Sequence, residues 1–237
     1  MKSVLHKAST RGHADHGWLE SWHTFSFAGY YDENRIHFGA LRVLNDDSVA
    51  PGMGFGKHPH DNMEIISIPL EGDLEHGDNM GNRTIIRKGD VQIMSAGTGV
   101  VHSEKNANDD QQVKFLQIWV FPNKRNVTPR YDQQTFSEEQ KHNQLLTVVS
   151  PVGSAEGGVQ IHQDAWFSLG NLDQGTTLTY QIKKEGNGVY AFLLDGDVMI
   201  NDIVMNKRDG LGISEASELS IVASSDAQLL LMDIPMD

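Results

Sequence analysis

His58 and His60 stand one residue apart in GKHPHDNME, and His102 and Glu104 repeat that spacing in VVHSEKN. In an extended strand, residues i and i+2 project to the same face, so each pair can aim two donors at one point. Three imidazoles and a carboxylate form a set suited to Fe(II), Ni, Cu, Mn or Zn. Four protein ligands on an ion that prefers five or six leave room for substrate and O2, as a catalytic site requires. An HxH pair alone says little, because polar strand ends often carry histidines. A second pair behind the glycine-rich turn SAGTG makes the combination informative. Glu64, four residues after His60, competes with Glu104 for the carboxylate position. Glu104 is taken as the ligand and Glu64 as a nearby acid that orients a histidine.

These residues need strands to carry them. Short apolar runs, MEIISIPL, TIIRKGDVQIM, VKFLQIWVF and LSIVA, alternate with Gly-, Asn- and Asp-rich turns, and long runs of helical period are nearly absent. The 23 glycines supply turns for an antiparallel sandwich or barrel. SEEQKHNQ is the best helix candidate and is short and polar. The chain also echoes itself. IPLEGDLEH followed by IIRKGDVQIM matches FLLDGDVMIND followed by VMNKRDGLGI, and KFLQIWVFP is answered by QLLLMDIP. The expected fold is therefore all-β, with two tandem barrels, residues 1–135 and 136–237, and a polar linker near residues 128–144.

Composition removes several function classes. Over 237 residues, 32 acidic side chains against 19 basic ones leave a formal charge of −13, which repels nucleic acid and anionic membrane surfaces. With no cysteine there is no disulfide, thiolate ligand or thiol nucleophile. The polar N-terminus MKSVLHKASTRGHADHG has no apolar signal region, and no run approaches the roughly 20 apolar residues of a membrane span. A cytoplasmic protein is the default expectation.

With those residues in view, the sequence resembles the cupins and, more narrowly, the bicupins of the pirin family. Gly52, His58, His60, Glu64 and Gly72 fit the first cupin motif, and Gly89, His102 and Asn106 the second. Ser95 replaces the usual proline and His102 falls late after Gly97, departures that are themselves pirin-like. MSAGTGVVHSE, RGHADHGWLESWHTFSFAGYYD and TPRY strengthen the likeness. The resemblance implies jelly-roll barrels and one divalent metal ion in the N-terminal cupin, held by His58, His60, His102 and Glu104. Fe(II) is the first choice, with Ni, Cu, Mn, Co or Zn possible. Aligning DGD of residues 195–197 on EGD of residues 71–73 sets Ile182 and Lys184 opposite His58 and His60, so the C-terminal cupin should hold no metal. Its His162 is expected to be structural.

Several bacterial pirin-like proteins are quercetin 2,3-dioxygenases, so the resemblance implies a small aromatic substrate, O2 and release of CO, with Glu104 as the catalytic base. The alternatives are a metal- or redox-sensing regulatory protein with a protein partner, or a non-oxidative cupin enzyme. His23, Phe25 and Phe27 are pocket candidates. His13 and His16 are spaced wrongly for a strand face and are read as structural, and His76 is expected to be exposed. Two fused barrels that cover each other favour a monomer.

Overall fold

In a computed structural model, described over residues 1–236, the chain forms four sheets in two similar halves. The strands run β1 (Lys2–His6), β2 (Gly12–Asp15), β3 (Leu19–His23), β4 (Leu41–Val49), β5 (Gly54–His60) and β6 (Glu64–Glu71). They continue with β7 (Leu74–Asp78), β8 (Arg83–Ile86), β9 (Asp90–Ser95), β10 (Val100–Asn106), β11 (Val113–Val120) and β12 (Arg130–Thr135). After the helix α1 (Glu138–Lys141) come β13 (Leu146–Pro151), β14 (Val159–Ile161), β15 (Trp166–Leu172), β16 (Thr177–Gln181) and β17 (Asn187–Asp195). The last five are β18 (Asp197–Ile200), β19 (Ile203–Asn206), β20 (Gly210–Ser214), β21 (Glu218–Ala223) and β22 (Ala227–Pro235). No helix is long and apolar enough to cross a membrane among the described residues.

The internal echo is an architectural repeat. One half has a seven-stranded sheet in the order β12-β9-β6-β11-β4-β3-β2, and the other has β1-β20-β17-β22-β15-β13-β14. Each faces a four-stranded sheet, β5-β10-β7-β8 or β16-β21-β18-β19. The repeated glycine turns occupy matching places between β6 and β7 and between β17 and β18. Gly72 and Gly196 both adopt positive φ, at 74° and 79°, and a Cβ on either would strike backbone, so glycine is required twice.

The halves are the expected jelly rolls, each built as two facing sheets that stay open at their edges. The reason lies in the outer faces of the large sheets. Leu44, Ile66, Leu116 and Ile118 of the first half form one continuous core with Phe167, Phe192, Leu230 and Met232 of the second. Sheets that pack face to face stay open and aligned, and their strands are buried on both sides.

Two segments alter the expected division. Residues 128–144, read as linker, contain β12, which pairs with β9 along the edge of the first large sheet. Conversely β1, on the N-terminal side of the 135/136 boundary, pairs with β20 at the equivalent edge of the second large sheet. Polar alternation hides both strands from a hydrophobic reading, because an edge strand needs only one apolar face. The predicted helix shrinks to the four residues of α1, capped by Ser137 and Gln140 in a reciprocal capping box.

Candidate metal centre and its cavity

The paired histidines sit on neighbouring strands of the first small sheet. β5 and β10 run antiparallel with His58 opposite His102, and the register slips before Glu104, which faces Phe55. The extra residue lies in β5, a bulge that turns its end toward the interior. Gly54 makes the approach possible, since a Cβ there would lie 2.4 Å from the Glu104 carbonyl oxygen. His58 Nδ1 lies 2.8 Å from the Gly56 carbonyl within the bulge. A carbonyl only accepts, so Nδ1 carries the proton and Nε2 keeps its lone pair for the cluster.

Donor atoms of His58, His60 and His102 lie within 4.8 Å of one another, and so do those of His76, His102 and Glu104. The two groups share His102, which is buried with neither ring nitrogen hydrogen-bonded. Burial, together with the neighbouring His58, His60 and His76, lowers its pKa to about 2, and burial beside His58 lowers that of His60 to about 4. His102 and His60 are therefore neutral at ordinary pH, the form in which imidazole binds metal. Glu104 is buried and its pKa is raised by desolvation. Ser67 Oγ donates to one of its oxygens at 2.9 Å and Gln117 Nε2 to the other at 2.6 Å. Unpaired buried ring nitrogens converging beside an oriented carboxylate fit a divalent ion well.

Beside the cluster opens a cavity of about 650 Å³. His58, His60 and Glu104 reach it from the small sheet side, and Phe27, Tyr30, Phe55 and Trp119 give it aromatic walls. The edge of Trp119 meets His60 with ring centroids 4.9 Å apart. His13 and His16 line the rim, His13 stacked on Trp22 at 4.1 Å. The large sheet supplies a polar strip: Ser21 and His23 from β3, Asn45 and Asp47 from β4, and Gln117 from β11. Asp47 is 4 % exposed, and burial pushes its pKa up to about 7 although Ser21 Oγ donates to it.

Of the four expected ligands, His58, His60 and His102 form one group, while Glu104 lies with His102 and His76 in the other; His23 and Phe27 are on the cavity. Phe25 is elsewhere: it lies in the bend that follows β3, where strand alternation from His23 has ended, and packs against His6 and Tyr190 in the core between the halves. Glu64 is also displaced from its expected position. Its carboxylate accepts from Ser95 Oγ at 2.7 Å and from the His162 backbone, so it ties the halves together and orients no histidine. His162, expected to be structural, supplies that backbone bond. His76, expected to be exposed, has 0 % exposure, with Nε2 3.0 Å from Asp78 and Nδ1 unpaired beside the cluster. In LEHGDNMGN the turn begins only after Asp78, so His76 is still on β7 and faces inward.

Ser67 and Gln117 were missed as well, although each interrupts an apolar strand at an inward position. In the second half, the inward face of β16 carries Leu178 and Tyr180. Ile182 and Lys184, aligned with the histidines, fall beyond its end, and Lys184 pairs with Asp164.

Two fused jelly rolls, one with a histidine cluster under its small sheet, define a bicupin. Within that class the chain belongs to the pirin family. Residues 4–120 match the pirin profile, and residues 147–234 match that of the quercetinase C-terminal cupin domain. The chain is 46% identical over 231 residues to quercetin 2,3-dioxygenase of Escherichia coli K12, covering 98% of both proteins. It is 40% identical to a pirin-like protein of Caulobacter vibrioides, covering 94% of this chain and 95% of that one. The crystal structure of the bacterial pirin YhhW of Escherichia coli in complex with nickel(II) superposes with a TM-score of 0.93 at 42% identity over 100% of both chains.

Proposed function

We propose that the protein is a metal-dependent dioxygenase that opens flavonols such as quercetin with O2 and releases CO, with Fe(II) as the preferred ion and Ni, Cu, Mn, Co or Zn as competitors. The observation that carries this reading is the group His58, His60 and His102, joined through His102 to Glu104 and His76, beside a cavity with aromatic walls, large enough for a planar multi-ring molecule. These four residues would hold the ion, which when bound supplies Lewis acidity to the substrate 3-hydroxyl and a path for electron density toward O2.

The chain's own groups do the rest. Phe27, Tyr30, Phe55 and Trp119 hold the rings and exclude water from the reacting face. Glu104 reaches the same cavity and takes the proton of the 3-hydroxyl, while Ser67 and Gln117 fix the direction of its oxygens. Two carbon–carbon bonds of the pyrone ring then break, both atoms of O2 enter the ring-opened ester, and C3 leaves as CO. The close relation to a named quercetin 2,3-dioxygenase supports the reaction class. The continuous core between the large sheets supports a monomer.

The test is O2-dependent bleaching of quercetin by anaerobically Fe(II)-loaded protein, with CO detected. Glu104→Gln should retain metal while turnover falls by roughly 10²–10⁴-fold; undiminished turnover would remove Glu104 from this role. Fully metallated wild-type protein that leaves quercetin intact would instead favour the non-oxidative or regulatory reading.

A further inference from the structure

Across the cavity from the histidines, the large sheet presents polar atoms that the protein itself does not use. β3 and β4 are in register so that Ser21 faces Asp47 and His23 faces Asn45, with all four side chains on the cavity. Ser21 Oγ donates to Asp47 Oδ1. Asp47 Oδ2 has no hydrogen-bond partner among the described residues, and neither has Asn45 Oδ1 or His23 Nδ1. Buried polar groups are almost always paired; Asn45 Oδ1 and His23 Nδ1 are enclosed without a partner, and Asp47 Oδ2 opens to the cavity with none from the protein. Such a group retained on a cavity wall is explained when a ligand completes it.

The second half supports this by contrast. The inward face of its large sheet carries Val189, Ala191, Leu193, Leu229 and Leu231 as an apolar core, and the buried carboxylate on it, Asp233, is paired at both oxygens, by Asn187 Nδ2 at one and by Tyr180 Oη and the Lys183 backbone N–H at the other. A carboxylate buried for structure in this fold thus has both oxygens paired within the protein, as Asp47 has not.

Resting on the reading of the site as a flavonol dioxygenase, we propose that Asp47, steadied by Ser21, is a specificity-determining residue that accepts a hydrogen bond from a substrate hydroxyl remote from the one on the ion. The substrate class becomes narrower: planar phenols with a second hydroxyl donor on the side facing β3 and β4. Above its pKa of about 7 the Asp47 carboxylate accepts and does not donate, so at pH 8, where the comparison is made, a ring bearing only the 3-hydroxyl leaves Asp47 unpaired and is disfavoured.

The test compares quercetin with 3-hydroxyflavone, which lacks the remote hydroxyls. Binding of each to the full-length, Ni(II)-loaded protein is measured by anaerobic calorimetry, for wild type, Asp47→Asn and Ser21→Ala. Wild type should bind quercetin about tenfold to a hundredfold more tightly than 3-hydroxyflavone. Asp47→Asn should erase most of that preference, loosening quercetin and tightening 3-hydroxyflavone, with metal content unchanged, and Ser21→Ala should reduce the preference less. An equal loss for both flavonols, or no change for either, overturns the role of Asp47 while leaving the dioxygenase reading standing. If wild type binds neither flavonol, the dioxygenase reading falls and this inference falls with it.

Discussion

The two jelly rolls share a strand order and differ in what fills them. Between its sheets the first places histidines, Glu104, Gln117, Ser67 and Asp47 around an open cavity. At the same level the second places Tyr180, Leu219, Ile221, Leu229 and Leu231, packed without a comparable opening to a donor cluster. One scaffold thus appears as a site and as a support. The site half accepts unpaired polar atoms at a cost in stability, and the apolar half, joined to it through a common core, offsets that cost.

If the division is real, perturbations should separate the halves. His102→Ala removes the donor common to both groups of ligands. It should abolish metal retention and reduce turnover by more than about a hundredfold, beyond what loss of a supporting residue causes. Calorimetric metal titration and the quercetin assay check this. Leu231→Ala, in the support half, should lower stability by about 2–5 kcal/mol in denaturant unfolding while the folded fraction binds metal as wild type does. A change in metal affinity without a stability loss would blur the comparison. Asp78→Asn takes the charged partner from His76, and metal affinity should weaken by about tenfold with little change in unfolding midpoint.

The smallest effect concerns pH. The pKa of Asp47 rises on folding from 3.8 to about 7, so the folded state binds its proton more tightly than the unfolded chain does. The penalty is absent below the unfolded value, grows as pH rises through the interval and is complete above about 7. In chelator-treated protein, Asp47→Asn should therefore stabilise by roughly 1–2 kcal/mol at pH 8 and by much less at pH 4. Thermal melts at the two pH values measure the difference, and an equal gain at both would show that burial of the charge is not its source.

Much of this comparison was legible in the residues. His58, His60, His102 and Glu104 are adjacent in i, i+2 pairs, so strand geometry alone brings each pair to one face, and the repeated EGD and DGD turns mark the duplicated scaffold. Asp47, His76 and Ser67 were not legible in the same way. Each is a single polar residue; for Asp47 and Ser67 the role depends on which face of a doubly buried strand it occupies, fixed by packing of the other half, and for His76 on β7 running on to Asp78 before it turns. Glu64 and Phe25 illustrate the same limit: sequence proximity to the site put them near it, while strand parity turned Glu64, and the bend after β3 turned Phe25, toward the junction. The exchange of β1 into the second half lies further still from local sequence, since its pairing joins residues 2–6 to residues 210–214.

The most direct test of the division is the number of ions per chain. The full-length protein would be equilibrated anaerobically with Fe(II), passed through gel filtration and assayed by elemental analysis, beside a His58→Ala, His60→Ala variant. The account predicts one ion per wild-type chain and none in the variant. Two ions in wild type, or one retained without the two histidines, would contradict it.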